Sequence, residues 1–415
     1  MRSHIRITFL LIVLLQPLLH PRPSFAETDF TSKTYIKFFT DPRDDKYAPL
    51  YEYVEMESSD RKNGLWNVYL SGWWGHDFST LQERDRSRDA LTNAYIKISP
   101  YPDQRFLLDV GRHFVFEGVA AQRIDGVSTH WDLTPWNGFS LFGGSPVETE
   151  FDTRGGDTIY GGRIYQRLQH KAELGLSFFK ETNNDARFQE KTGLDLWLMP
   201  INKMEIKGHS FYNNIAEGWG EHAYTLRVFP QRSLILTGLF SRTNYENTFT
   251  PSTLSVFQPD FLGAGETLTK RGGMIEYRFN DALTGVLDYN NYAYRIMGDA
   301  AYYGAKLAST TSFGLFSGIS FHRMEGAIEK LRYSEVRMYA GEDVEHWKFS
   351  IDAIDHHYDQ PFNGISNAYS VNGTVRYAIS DALASSFSVD YGKTPDFVYN
   401  TTVLLGIVYS YKQGR

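Results

Sequence analysis

The sequence predicts an all-β chain that closes into a transmembrane antiparallel up-and-down β-barrel of about 20 strands, with roughly 18 to 22 allowed. Three observations lead there. From Leu65 to the end, segments of about 10 to 14 residues alternate apolar and polar side chains. Their connections alternate between short turns and longer loops. Aromatic residues make up 15 % of the chain, with 27 Tyr and 29 Phe, and they gather near the ends of the apolar faces, as at a boundary between lipid and water.

Met1 to Ala26 has a basic start (Arg2, Arg6), an apolar run from Ile7 to Leu15 and a Ser24-Phe25-Ala26 ending, which reads as a secretory signal cut before Glu27. The run is short for a membrane-spanning helix, which needs about 20 residues. Removing Arg2, Arg6 and Arg22, with no acidic residue lost, takes the formal net charge from -7 to -10. An acidic chain of this kind speaks against a nucleic-acid partner. The absence of cysteine excludes covalent haem attachment through C-x-x-C-H, iron–sulfur ligation and a thiol nucleophile in this chain.

Residues 27–64 read as an N-terminal segment, either a periplasmic arm, a plug or the first strands, and 65–415 as one barrel domain. No Pro/Ser-rich linker divides it. Along the barrel the two faces separate cleanly. Ala172, Leu174, Leu176 and Phe178 oppose Lys171, Glu173, Gly175 and Ser177, and Leu383, Phe387, Val389 and Tyr391 oppose Ala384, Ser386, Ser388 and Asp390. The last strand, "TTVLLGIVYSY" (401–411), puts Val403, Leu405, Ile407, Tyr409 and Tyr411 on one side.

Short turns are expected at sites such as "MPINK" (199–203) and "ISDA" (379–382). Long loops are expected at 75–90, 140–157, 213–221, 243–269 and 356–368. A soluble sandwich would not sort its connections this way. Charges sit in mid-strand on the face opposite the apolar one, at Arg163, Arg167, Asp195, Lys207, Arg227, Glu276, Arg278, Asp288, Arg337, Asp352 and Arg376. Inside a wide barrel such residues are wet, and with the apolar face in lipid the sheet must close to pair its backbone.

Several stretches are candidates for a constriction. In "LLDVGRHFVFEG" (107–118), Arg112 follows Phe106, Leu108 and Val110 on the lipid-facing side of the alternation, and a bulge at Gly111 would turn it inward. Asp109 lies on the inner side, and "AAQRIDGVSTHWD" (120–132) adds Arg123, Asp125, His130 and Asp132. The candidate pore-lining residues are therefore Asp109, Arg112, Arg123, Asp125, Arg163, Arg167, Lys207, Arg227, Arg278, Asp288, Arg337 and Arg376. Charges of both signs lie near each other in sequence, Glu205 with Lys207, Glu276 with Arg278, Glu335 with Arg337 and Lys348 with Asp352, and could set a transverse field across a pore. The alternative is a solvated wall of ion pairs, with Arg112 snorkelling at the rim.

The long segment Thr243 to Thr269 is expected either to fold into the lumen or to cap it. "GAGETLTKRGG" (263–273) has the wrong glycine spacing for a phosphate loop. The adjacent His356 and His357 would point opposite ways on a strand and read better as loop residues near an external rim, so no metal site is expected. No nucleophile elbow appears.

The signal, the repeated alternating hairpins and the closing strand together resemble the porin-like Gram-negative outer-membrane β-barrel proteins over nearly the whole length. Many of these end in Phe or Trp, whereas here "YSYKQGR" places Tyr411 four residues from the end. The resemblance implies a cell outer-membrane channel for passive diffusion of small hydrophilic solutes, surrounded by lipid and lipopolysaccharide. It also implies a protein without cofactor or catalysis, with a homo-oligomer allowed. The second reading is a barrel that sheathes a partner such as a periplasmic multihaem cytochrome, and the third is an embedded hydrolase.

Overall fold

The computed structural model describes residues 26–413 apart from 41–44, 61–63, 80–86, 149–151, 170, 185, 249–264 and 396–398. Residues 1–25, which hold nearly all of the expected signal, lie outside the described residues. In chain order the strands are β1 Ala26–Thr40, β2 Lys46–Tyr47, β3 Pro49–Asp60, β4 Trp66–Asp77, β5 Ser87–Ile98, β6 Phe106–Glu117, β7 Ala120–Thr134 and β8 Asn137–Pro146. Next come β9 Ile159–Leu168, β10 Ala172–Asn183, β11 Ala186–Ile201, β12 Met204–Asn213, β13 Gly218–Gln231, β14 Leu234–Asn244, β15 Thr267–Arg278 and β16 Leu283–Tyr294. The last are β17 Gly298–Thr310, β18 Phe316–Gly326, β19 Tyr333–Val344, β20 Trp347–Phe362, β21 Ile365–Ala378, β22 Leu383–Lys393 and β23 Asn400–Gln413.

Each strand pairs antiparallel with its neighbour in sequence, except that β2 only extends the first hairpin, where Phe39 meets Tyr47. The sheet closes where β1 pairs β23, from Thr28 opposite Gln413 to Phe38 opposite Val403. The wall thus has 22 strands. Closure leaves no strand edge, which a β-structure in lipid requires. Ala26 and Gln413 lie at one end of the barrel, here the turn end, and the other is the loop end.

The register fixes the two faces. Outward alternation carries Leu174, Leu176, Ile275, Leu287, Ile319, Phe321, Ile351, Phe387 and Leu405, all large and exposed. Inward alternation carries Arg163, Asp195, Lys207, Arg227, Asp288, Lys306, Glu335, Arg337, Asp352 and Arg376. Water reaches this inner face, since the side chains of Glu55, Lys207 and Arg337 are 56 %, 58 % and 50 % exposed.

Several connections are shorter than the sequence suggests. Ser140–Pro146 belongs to β8, and 356–368 is a continuous hairpin of β20 and β21 that turns at Asn363 and Gly364, both with positive φ. His356 and His357 are strand residues on opposite faces: His356 reaches Glu335 at 3.1 Å, and His357 reaches Asn367 at 2.6 Å. These strands run on past the apolar belt because ladder pairing still satisfies their backbone in water. In the segment 243–269, a short helix spans Tyr245–Thr248, and 249–264 lies outside the described residues. In the N-terminal segment, β1 and β3 complete the wall, with β2 at the end of their hairpin.

Candidate functional site

Six of the buried apolar residues gather in one cluster, Val115, Ala120, Ile124, Phe142, Ile159 and Phe179, with Val119 against it. Phe142, Ile159 and Phe179 belong to the inner faces of β8, β9 and β10. Val115 to Ile124 is the tip of the β6–β7 hairpin. The tip therefore lies inside the barrel.

The hairpin folds sharply at the pair Gly111 and Gly126. In a straight hairpin His113 and Ser128 would stand four residues apart along the strands, about 13 Å. Instead His113 Nε2 lies 2.8 Å from Ser128 Oγ, across the crease. Glu117, opposite Ala120, would stand about 33 Å from His130, yet its Oε1 is 3.9 Å from His130 Nδ1.

Gly111 has φ +123°, open to glycine and poorly tolerated by other residues. A Cβ on Gly126 would collide with the Gly143 carbonyl, and one on Gly144 with that of Asp125. Three paired glycines, Gly111, Gly126 and Gly144, so form the crease across β6, β7 and β8.

Beyond the crease the tip lies against the inner wall at mid-height. The Val119 amide donates to Ser177 Oγ (3.1 Å), and a Cβ at Gly193 would overlap Val119. The β5–β6 ladder ends at Ala94 opposite Arg112, and Arg112 Nη1 donates to the Leu91 carbonyl at 2.9 Å. There is no register shift in β6, so the bulge expected at Gly111 is instead this fold. Its consequence for Arg112 is the one a bulge would have had: the lipid-facing alternation is turned into the lumen.

Arg112 holds Asp125 through two hydrogen bonds of 2.7 Å and donates to Thr153 Oγ1, also at 2.7 Å, which ties the hairpin to the 147–158 loop. Arg123 stacks over Phe114 at 5.9 Å. Phe116 is 78 % exposed at the tip. In the same loop Arg154 pairs with Glu181 on the inner wall of β10.

On the turn side of the tip runs a connected chain of inner-face charges. Arg163 pairs with Asp195 (Nε to Oδ2 3.0 Å) and Glu173 (2.6 Å), and Arg167 with Glu173 (2.8 Å) and Asp132 (2.7 Å). The Tyr165 hydroxyl donates to Asp132 at 2.5 Å and lies 2.9 Å from His130 Nε2. Gly175 leaves the space that the Arg163–Asp195 pair fills. An isolated exposed pair contributes little, but here each arginine spans two carboxylates. Arg163→Met leaves Glu173 and Asp195 facing each other without it, and should cost about 1–3 kcal/mol in urea unfolding.

The other predicted residues lie elsewhere on the inner face. Asp109 faces the lumen below the crease, with Lys97 opposite it on β5. Lys207 and Arg227 share Glu205 at 2.9 and 3.7 Å. Arg278 and Arg376 stand exposed near the turn end.

Asp288 receives His322 at 3.0 Å, and Glu335 lies between His322 and His356. Arg337 pairs across strands with Asp352 (Nε to Oδ1 3.0 Å), and Lys348 pairs with Asp343. Of the opposite-sign neighbours in sequence, Glu205 and Lys207 pair with each other. For Arg337 and Lys348, cross-strand and turn partners are closer. No group of His, Asp or Glu among the described residues has the geometry to hold a metal ion.

No protein-family model and no curated protein matches the chain. Solved structures do. A mutant form of the ferric enterobactin receptor PfeA of Pseudomonas aeruginosa aligns at TM-score 0.54 and 10 % identity, covering 94 % of this chain and 81 % of that one. The translocation pore of the P pilus usher PapC aligns at TM-score 0.50 and 9 % identity over 93 % and 99 %. OccAB4 of Acinetobacter baumannii aligns at TM-score 0.46 and 11 % identity over 95 % and 100 %. At these identities the likeness is one of fold, and the fold shared with the receptor and the usher pore is a closed β-barrel.

Proposed function

We propose that this barrel is an outer-membrane channel for passive diffusion of small hydrophilic solutes, exported by residues 1–26 and narrowed by the β6–β7 hairpin. The observation that carries the reading is the hairpin itself. Barrel width grows with strand number, and 16 to 18 strands already leave an aqueous channel. A wall of 22 strands therefore needs an internal element if it is to discriminate among small solutes.

The folded hairpin supplies one, resting at mid-height on the inner wall through its apolar cluster and presenting Phe116 to the bore. Mixed lumen charges, most of them paired, favour weak selectivity over a strong preference for one sign. An element resting inside the bore favours this reading over a sheath around a cytochrome.

The test uses the absence of cysteine in the chain. In Phe116→Cys, a bulky membrane-impermeant thiol reagent should lower the conductance in planar bilayers, while Ile407→Cys, outward and 54 % exposed, should be indifferent. An unaltered conductance in fully labelled Phe116→Cys would remove the hairpin from the solute path.

A further inference from the structure

We propose that the outward surface of β13 to β16 near the loop end binds the phosphate of an anionic lipid headgroup between Arg242 and Arg271. This requires that the barrel sits in a membrane, but not that it conducts.

Both arginines follow outward alternation. Arg242 stands opposite His222 on one side and Thr269 on the other, and Arg271 stands opposite Phe240 and Asn291. Both are exposed, and neither has a carboxylate at ion-pair distance among the described residues. Other outward cations do: Lys180 lies 3.8 Å from Glu190, and Arg323 lies 2.8 Å from Glu325.

An unpaired arginine facing lipid is unfavourable in proportion to its depth. These two lie just beyond an aromatic girdle. Tyr289 is opposite Gly273, two residues toward the turn end from Arg271, and its ring stacks 6.5 Å from that of Tyr303. That places both guanidinium groups at headgroup level.

Arg242 faces Thr269 and Arg271 is two residues on, a diagonal of about 7–8 Å. Two arginine forks at that spacing can close on one phosphate. Around them stand neutral hydrogen-bonding groups: Asn291, Thr269 and a cluster in which Ser210 Oγ lies 2.8 Å from His222 Nδ1 and 2.6 Å from the Tyr224 hydroxyl. Charge, depth and flanking donors therefore all suit a lipid phosphate.

The experiment is native mass spectrometry of the full chain refolded with phosphatidylglycerol or phosphatidylcholine. It compares wild type, Arg242→Gln/Arg271→Gln and, as an inward control, Arg376→Gln, with folding checked by heat-modifiable mobility. The wild type and the control should retain phosphatidylglycerol over phosphatidylcholine. The double variant should bind phosphatidylglycerol about tenfold more weakly, as loss of charge-assisted hydrogen bonds implies, with phosphatidylcholine unchanged.

Equal phosphatidylglycerol retention in the folded double variant would overturn the proposal. So would loss of a dimer with lipid retention intact, which would assign the patch to a second copy of the chain. Full displacement of the lipid by inorganic phosphate would overturn the lipid as ligand in favour of a free anion.

Discussion

Leu405→Arg is expected to cost the barrel about 2–4 kcal/mol of folding stability, the penalty for a basic side chain at the lipid-facing midplane, and Phe387→Arg a similar amount. The two residues are direct partners across β22 and β23, outward and 41 % and 45 % exposed. In lipid that exposure is contact with acyl chains, so a guanidinium there must either drag water inward or bend the wall.

Ser388→Arg, one residue along the same strand, should be tolerated. Ser388 faces the lumen, where its hydroxyl lies 2.9 Å from Thr374 Oγ1 in a wet environment. Urea unfolding from vesicles measures all three. Equal losses would mean that the faces of the sheet have been assigned wrongly.

Gly126→Val is expected to open the crease. The added side chain would run into the Gly143 carbonyl on β8, and backbone cannot yield as the end of a flexible side chain can. Overpacking at a fixed site costs about 1–3 kcal/mol. The cheaper response is to straighten β7 and release the tip from Ser177 and Gly193.

The released tip would expose the Val115, Ile124, Phe142, Ile159 and Phe179 cluster. Faster proteolysis within 113–124, with the rest of the barrel still resistant, would report it. Cleavage at the wild-type rate in a normally folded variant would show that the crease does not depend on the glycine.

The architecture could be read from the chain because alternation has one meaning along most of it: apolar side chains to lipid, polar ones to water. The same rule fails where the environment changes along a strand. In His113-Phe114-Val115-Phe116, three of four residues are apolar and the two faces meet different surroundings: Val115 is buried on the wall, while Phe114 and Phe116 face the bore.

The fold-back had a signal in the sequence, since Gly111, Gly118, Gly126, Gly143 and Gly144 fall within three consecutive strands and their turns. The parity break at Arg112 pointed to the right place. The contacts to Ser177, Gly193 and Thr153 could not be read, because they join strands distant in sequence.

The first strands were obscured for another reason. Ser32 and Thr34 on β1 and Glu52 on β3 occupy outward positions and satisfy one another, Ser32 Oγ reaching Glu52 at 2.5 Å. The apolar stripe that marks later strands is interrupted there. Ion pairing was only partly legible, because cross-strand neighbours such as Asp352 for Arg337 depend on register.

The most direct measurement is the unitary conductance of the refolded protein in a planar bilayer, for the wild type and for a chain in which residues 113–124 are replaced by a tight turn. The account predicts stable open steps from both, larger in the shortened chain. Silence from both correctly folded barrels, or equal steps from the two, would contradict it.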